Sequence, residues 1–392
     1  MNDAWWEAEL AALLARAKAQ QQPEPSVLVA QQRDSLQGLL DNLVDVDVID
    51  LNGQAFTIPT LNIRRKIEIR NGTLLAQPNL NDLVTIADCE GVVLRGLVLR
   101  GDGTTRRGIA ANGRNMLFEV VYVEHICRPG TESQAVAIWN GTGLTIRDSF
   151  LEGASQSFLS GGAAPTVPNH IPSDILLENC TLTRDTAWRG AGMAVKTGFE
   201  LKSARLVTVR NCVIENVWVD AQTGWAITLT PSQYGNSPET VVEDVLFTGN
   251  VIRNVAGGAN ILGFTQHTEP TRATQRANNL RFIANTFAIS RATNGGHGAL
   301  MQLGIEPAEL VWKNNDITQD GDFLRTTDKR PILGFRFNGN SVNTTGTYGV
   351  FTPLGSRGVG FAAAFPDGLI ADNTFYSAHS TFKTNFPNNV WK

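Results

Sequence analysis

The chain has 392 residues, enough for a large core, and its 33 Lys and Arg stand against 37 Asp and Glu for a net charge of -4, with 18% charged residues beside 37 glycines. That balance favours sheets and tight turns over long solvated helices, and an acidic chain without a strong Lys/Arg block disfavours a nucleic-acid partner. Four cysteines (Cys89, Cys127, Cys180, Cys212) with no CxxC pair argue against a zinc site or a disulfide-dense scaffold and for buried free thiols, and no stretch is long enough to span a membrane.

The opening MNDAWWEAELAALLARAKAQ begins with acidic residues and never reaches a continuous apolar run, so it does not read as a secretory signal peptide. Within it, Trp6, Leu10, Leu13, Leu14 and Ala17 lie on one stripe of a helix. Residues 1–22 are therefore expected to form an amphipathic helix that either docks on the body or associates with copies of itself. QQQPEPS (20–26) reads as a polar linker, and Leu36, Leu39, Leu40 and Leu43 give a second helical pattern, so residues 23–45 are assigned to a linker and a capping helix. A helix at that place would cover the open end of a repetitive sheet.

From Val46 the texture changes to short β-branched runs broken by Gly and Asn, and one motif recurs: KIEIRNGTL (66–74), GVVLRGLVL (91–99), LTIRDSF (144–150), ILLENCTL (175–182), VTVRNCVI (207–214), VLFTGNVI (245–252), LRFIANTF (280–287), VWKNNDI (311–317), FRFNGNSV (335–342) and LIADNTF (369–375). Aligned, these place Asp148, Cys180, Cys212, Asn250, Asn285, Asn315, Asn340 and Asn373 at one equivalent position. Recurrence at roughly 25 to 38 residues is a solenoid period. The fold read from it is an all-β, single-stranded right-handed parallel β-helix of about a dozen coils over residues 46–392, roughly 55 Å long at ~4.8 Å per coil. Side-chain amides stacked coil over coil bond to one another, and Cys fits the same slot as a small buried group.

A second strand can be followed through VAIWNG (136–141), SFLSGG (157–162), GFELKSA (198–204), GWAITLT (224–230), GANILGF (258–264), GALMQLG (298–304) and DFLRTT (322–327). With Leu159, Leu201, Leu229 and Leu262 inward, alternation sends Ser160, Glu200, Lys202, Thr228 and Thr230 outward as a polar stripe. The long segments 161–174, 183–197, 231–244 and 265–279 would wall a groove over it.

On these repeats the chain resembles the pectate-lyase-like superfamily of right-handed β-helices, which includes pectate lyases, polygalacturonase-type hydrolases and bacteriophage tailspikes. The likeness covers residues 46–385. The opening VIDLNGQAFTIPTLNIRRKIEIRNGTLL (48–75), after a helical segment, is most similar to the start of phage tailspike and fibre β-helices. That resemblance implies a virion protein, released by lysis without a signal peptide, forming a homo-oligomer with a trimer favoured. It also implies contact with other virion proteins and binding to surface polysaccharide. The alternatives it leaves are a polysaccharide lyase or glycoside hydrolase working in the groove, and a purely structural virion decoration protein.

Candidate chemistry is sparse. GGHGALMQLG (295–304) is similar to the Gly-His-Gly motif of polygalacturonases around His297, but the preceding coil lacks the paired Asp and LRTTDKR (324–330) replaces the expected Arg-x-Lys element. Inverting hydrolysis needs an acid and a base about 6.5–9.5 Å apart. A lyase would need acidic Ca²⁺ ligands and a Lys or Arg base, and the best such cluster is Glu200, Lys202 and Asp220 with Gln222, Asp185, Arg189 and Lys196 nearby. Ordinary surface pairing of Glu200 with a lysine gives the same pattern. No metal or other cofactor is called for unless the chain is a lyase. Of the tryptophans in these coils, Trp225 lies in a strand and is expected to pack, whereas Trp188, Trp218 and Trp139, with Gln222, are the expected carbohydrate contacts.

Overall fold

A computed structural model describes residues 25–232, 238–264, 274–327, 330–345, 352–353, 361–376, 383 and 386–392. The amphipathic helix expected over 1–22 lies outside the described residues, as do 233–237 and 265–273 of the long segments. What is described is one 33-stranded sheet with parallel pairing throughout, wound as a right-handed β-helix.

Each coil contributes a strand to each of three walls. The first wall stacks Thr142–Arg147, Ser173–Glu178, Ala204–Arg210, Val242–Thr248, Asn278–Ile283 and Ala308–Lys313. The second stacks Phe150–Gly153, Thr181–Thr183, Val213–Val217, Val251–Val255 and Thr286–Ile289. Gln134–Ile138, Gln156–Ser160, Phe199–Leu201, Trp225–Leu229, Gly257–Leu262 and Met301–Gly304 build the third. Neighbours in space are a full coil apart in the chain, so no coil can bury its own inner face and the stack shares one continuous core.

The corner between the first two walls explains the recurring motif. Asp148, Asn179, Asn211, Gly249, Ala284, Asn314, Gly339 and Asp372 all have φ between 51° and 69°. Asn, Asp and Gly tolerate this left-handed conformation best, which is why they recur there. The next residue turns inward, and the strand register puts Ser149, not Asp148, in the column with Cys180, Cys212 and Asn250. Asp148 belongs to the turn column one place earlier. The inward column is bonded end to end: Cys180 N–H donates to Cys212 Sγ (3.3 Å) and Cys212 N–H to Asn250 Oδ1 (2.8 Å). Asn250 donates from N and Nδ2 to Asn285 Oδ1 (3.0 and 2.9 Å), and Asn285, Asn315, Asn340 and Asn373 repeat the arrangement down to Asn389. All four cysteines are buried free thiols.

Inside, rings stack as the backbone does. Phe247 lies on Phe282 at 5.1 Å and Phe282 on Trp312 at 4.1 Å, nearly parallel in both cases. At the N-terminal end the capping helix is shorter than its leucine pattern, Leu36–Asn42, with Ser35 accepting from Gly38 N–H. Its buried Leu36 and Leu40 join the core. Val27–Val29, within the segment read as linker and helix, is instead a strand paired with Val48–Asp50, so the solenoid begins before residue 46.

In the third wall two leucines are out of the expected phase. Leu159 shares a column with Glu200 and Thr228, while Ser160 shares one with Leu201 and Leu229; Leu262 sits beside Gly304, and Ile261 takes the place over Leu303. Ser160 is therefore an inner, fully buried residue whose hydroxyl donates to the Ser203 carbonyl at 2.7 Å. A hydroxyl satisfied by a backbone carbonyl can occupy a core position that alternation reserves for an aliphatic one.

Candidate functional site

The expected acidic cluster does not assemble. Glu200 is only 3% exposed; it accepts from Gln156 Nε2 at 2.7 Å, with Lys202 Nζ 3.8 Å away, and Gln134 Nε2 donates on to Gln156 Oε1 at 3.0 Å. Asp220 and Gln222 sit in an exposed turn, held together by the Asp220 N–H to the Gln222 carbonyl, and no hydrogen bond or ion pair joins either side chain to Glu200 or Lys202 among the described residues. Asp185 caps a short 3-10 turn, Thr186–Trp188, and Arg189 donates to Thr293 O and Asn294 Oδ1. Lys196 pairs with Glu132. Glu200 is thus tied into a buried amide chain while Asp220 stands in an exposed turn.

His297 is separate again. It precedes Met301–Gly304, and counting columns from Glu200 through Thr228 and Asn260 to Gln302 puts it three coils further along, roughly 14 Å at ~4.8 Å per coil. Its Nδ1 contacts the Arg325 guanidinium, and burial, then the charges of Arg325 and Arg291, lower its pKa. The imidazole is held neutral beside a cation, with no carboxylate bonded to it among the described residues, so it is not arranged as an acid for glycosidic oxygen.

Two of the tryptophans expected at the surface are buried. Trp188 (5% exposed) and Trp218 (2%) pack with Cys127, Ala154 and Val195 in a small second core outside the main one. The reason lies in Arg184, fully buried beneath them, which donates to Ala154 O (3.1 Å), Asn216 O (2.8 Å) and Thr197 O (2.9 Å) and so ties segment 183–197 down onto the coils. Burial pushes its pKa down to about 9. Arg189 closes the cluster from outside, its guanidinium 4.8 Å from the Trp218 ring centre. Segment 183–197 is thus pinned to the coils at Arg184, Trp188 and Val195, and between these anchors 185–187 and 189–192 stay exposed. Trp225 is buried, as its place in a strand implies.

Trp139 is the exception. It follows Gln134–Ile138 on the third wall and lines an open groove of about 480 Å³ together with Arg106, Arg107, Glu132, Gln134 and Lys202, floored by Ala137 and Leu159. The Arg107 guanidinium lies 5.3 Å from the Trp139 ring centre and is fixed by Asp82 at 2.5 and 3.1 Å. Asn112 Oδ1 accepts from the backbone N–H groups of both Trp139 and Asn140 at 2.9 Å, which sets where the indole leaves the strand. At the far rim, Gly161 has φ +79°, and a Cβ there would lie 2.7 Å from Ser203 N, so the chain can pass only as glycine. Burial would raise the Glu132 carboxyl, but the Lys196 hydrogen bond, then the charges of Lys196, Lys202 and Arg106, bring it below its usual range.

Of this groove the sequence pointed to Trp139 and Lys202 and missed Arg106, Arg107, Glu132 and Gln134. The available signal was the pair Arg106–Arg107 at the entry to the strand that precedes VAIWNG in the third wall, since Arg107 stacks on Gln134. No group of three or more His, Cys, Asp or Glu is placed to hold a metal ion among the described residues, and no helix among them is long and apolar enough to cross a membrane.

No protein-family model matches the chain, and no curated protein matches it by sequence. Solved structures do match by fold. The chain is similar to the Dettilon tailspike protein, with a TM-score of 0.63 at 11% identity over 93% of this chain and 68% of that one. It is similar also to the surface protein and adhesin PfbA of Streptococcus pneumoniae, with a TM-score of 0.50 at 8% identity over 89% of this chain and 88% of that one. The class defined is the right-handed parallel β-helix.

Proposed function

We propose that the chain is a bacteriophage virion protein, a tailspike or a head or tail fibre, that binds host surface carbohydrate in the groove at Trp139. The fold likeness to a tailspike along nearly the whole chain supports the class. The observation that carries the carbohydrate reading is the half-exposed indole of Trp139 set beside hydrogen-bonding side chains in an open groove. A sugar offers one apolar face and a rim of hydroxyls, and this is the surface that complements both.

Binding without turnover fits the carboxylates better than hydrolysis does. A general acid needs a raised pKa, whereas Glu132 is lowered by its lysine and Glu200 is sealed under Gln156. The lyase reading would require Ca²⁺ beside a free base, and the groove's acids are each engaged by a lysine or an amide. A purely structural decoration protein would have no use for an open aromatic groove.

As a virion component the chain would act outside the cell after lysis, contact other virion proteins, and assemble as a homotrimer. The outer face of the first wall offers a surface for side-by-side packing of copies, with Val93, Leu117, Thr145, Leu176, Thr208 and Leu246 in one column and an alternating ladder of Arg95, Glu119, Arg147, Glu178 and Arg210 beside it. The test is an array of bacterial surface polysaccharides probed with the full chain and with Trp139→Ala, alongside mass measurement in solution. Wild-type signals that vanish in the variant, from a particle of trimer mass, support the reading. Polysaccharide cleavage by a monomer, or no glycan bound at all, overturns it.

A further inference from the structure

Charge in the groove is not balanced. Arg107 is held by Asp82, Lys196 by Glu132, and Glu200 has Lys202 Nζ at 3.8 Å. Arg106 alone of the groove-lining cations makes no ion pair and no side-chain hydrogen bond among the described residues, and its Nε is buried without a partner. Its backbone is fixed, the N–H donating to Leu80 O at 2.9 Å. Behind it stands Arg128, whose guanidinium donates to Thr104 O, Leu80 O and Asn81 Oδ1, three neutral acceptors that leave its charge uncompensated.

A buried guanidinium N–H without an acceptor is costly, and an Arg side chain offers planar donors suited to a carboxylate. Burial, then the neighbouring charge of Arg107, already works against the Arg106 cation. Asp82 and Glu132 offset only part of this, and a bound anion would supply the remaining negative charge. The carboxylates nearest in charge, Asp82 and Glu132, are committed to Arg107 and Lys196.

From this unpaired guanidinium beside the Trp139 platform we infer that the groove is selective for a carboxylate-bearing sugar, a uronic acid unit, with Arg106 binding the carboxylate and Trp139 the ring. The inference rests on the carbohydrate reading of the same groove and narrows it to a substrate class. A neutral sugar can offer Arg106 hydroxyl acceptors but neither a compensating charge nor a paired carboxylate acceptor, so the preference comes from the charge-assisted bidentate pair.

The probes are the methyl glycosides of glucuronic and galacturonic acid, against methyl glucoside and methyl galactoside, titrated into the full chain and followed by saturation-transfer-difference NMR. The acids are expected to bind at least tenfold more tightly than their neutral counterparts, a preference that shrinks as salt is raised. Arg106→Gln should erase the preference and Arg106→Lys should keep part of it, while Trp139→Ala should weaken acids and neutral sugars alike. Equal binding of acids and neutral sugars by the wild type overturns the uronate inference and leaves the carbohydrate groove standing. Binding of neither, together with a blank polysaccharide array, overturns both. The wild-type comparison holds whether or not the Arg106 variants fold.

Discussion

The corner between the first two walls and the third-wall face use the same coils in opposite ways. From Asn179 onward the corner repeats coil after coil: a left-handed Asn, Asp or Gly, with Ala284 the one departure, then an inward Asn or Cys bonded to the next coil. On the third wall the equivalent outward column changes at each step, from Ala137 to Leu159, Glu200, Thr228, Asn260 and Gln302. Repetition marks what stacking needs. Departure from it marks where a coil is free to meet something other than its neighbours.

That contrast can be broken first at the corner. Asn315→Ala removes the acceptor of two buried donors, Asn285 N and Nδ2, and a donor to Phe282 O. At ~1–3 kcal/mol per orphaned buried donor the loss should be about 4 kcal/mol, read as a fall in the denaturant midpoint. An unchanged midpoint would remove the ladder from the stability account.

The next effect belongs to the small second core. Trp188→Ala should cost about 3 kcal/mol, in the range for truncating a buried tryptophan, and should free segment 183–197 to proteolysis. A surface tryptophan would cost far less.

Cys127, in the same small core, gives a smaller and pH-limited effect. Burial, then the nearby charges of Glu152, Asp102 and Asp185, push its thiol from an ordinary value of 9.0 up to about 11. Its folded pKa is raised, so its contribution is complete below pH 9 and is lost as the pH climbs through about 11. Stability measured across that window should fall by about 2 kcal/mol more in the wild type than in Cys127→Ala. Parallel curves would place the thiol in contact with water.

Smallest for stability, and sharpest for function, is Trp139→Ala. A partly exposed ring that also stacks with Arg107 should change folding by about 1 kcal/mol, with glycan binding abolished. Binding that survives moves the site elsewhere on the wall.

The same contrast explains what was legible in the sequence. The corner motif could be aligned because each coil spells it again, and the fold followed from it. Its phase slipped by one at Asp148 because the left-handed residue and the inward one are adjacent and both polar; only strand register separates Asp148 from Ser149. On the third wall there was no repeat to align. Apolarity alone points Leu159 inward, yet it floors the groove beside Trp139, and polarity alone points Ser160 outward, yet Ser203 O satisfies it in the core.

Trp188 and Trp218 illustrate a further limit. Their turn positions suggested exposure, but a single buried guanidinium 30 to 32 residues away in sequence from two of its carbonyl partners, Ala154 and Asn216, folds the segment over them. Such a contact leaves no periodic trace. Arg106 leaves no trace in the pattern for a related reason, since its side chain has no hydrogen-bond or ion-pair partner among the described residues.

Hydrogen exchange along the full chain, with and without an oligosaccharide selected on the polysaccharide array, is the most direct trial of the division between stacking corner and open face. Protection gained at 130–139 and 158–163, with the amides at Asn250, Asn285, Asn315 and Asn340 already slow and unchanged, is the predicted outcome. Protection centred on the Asp220 turn or around His297, or an Asn column that exchanges freely before ligand is added, would contradict it.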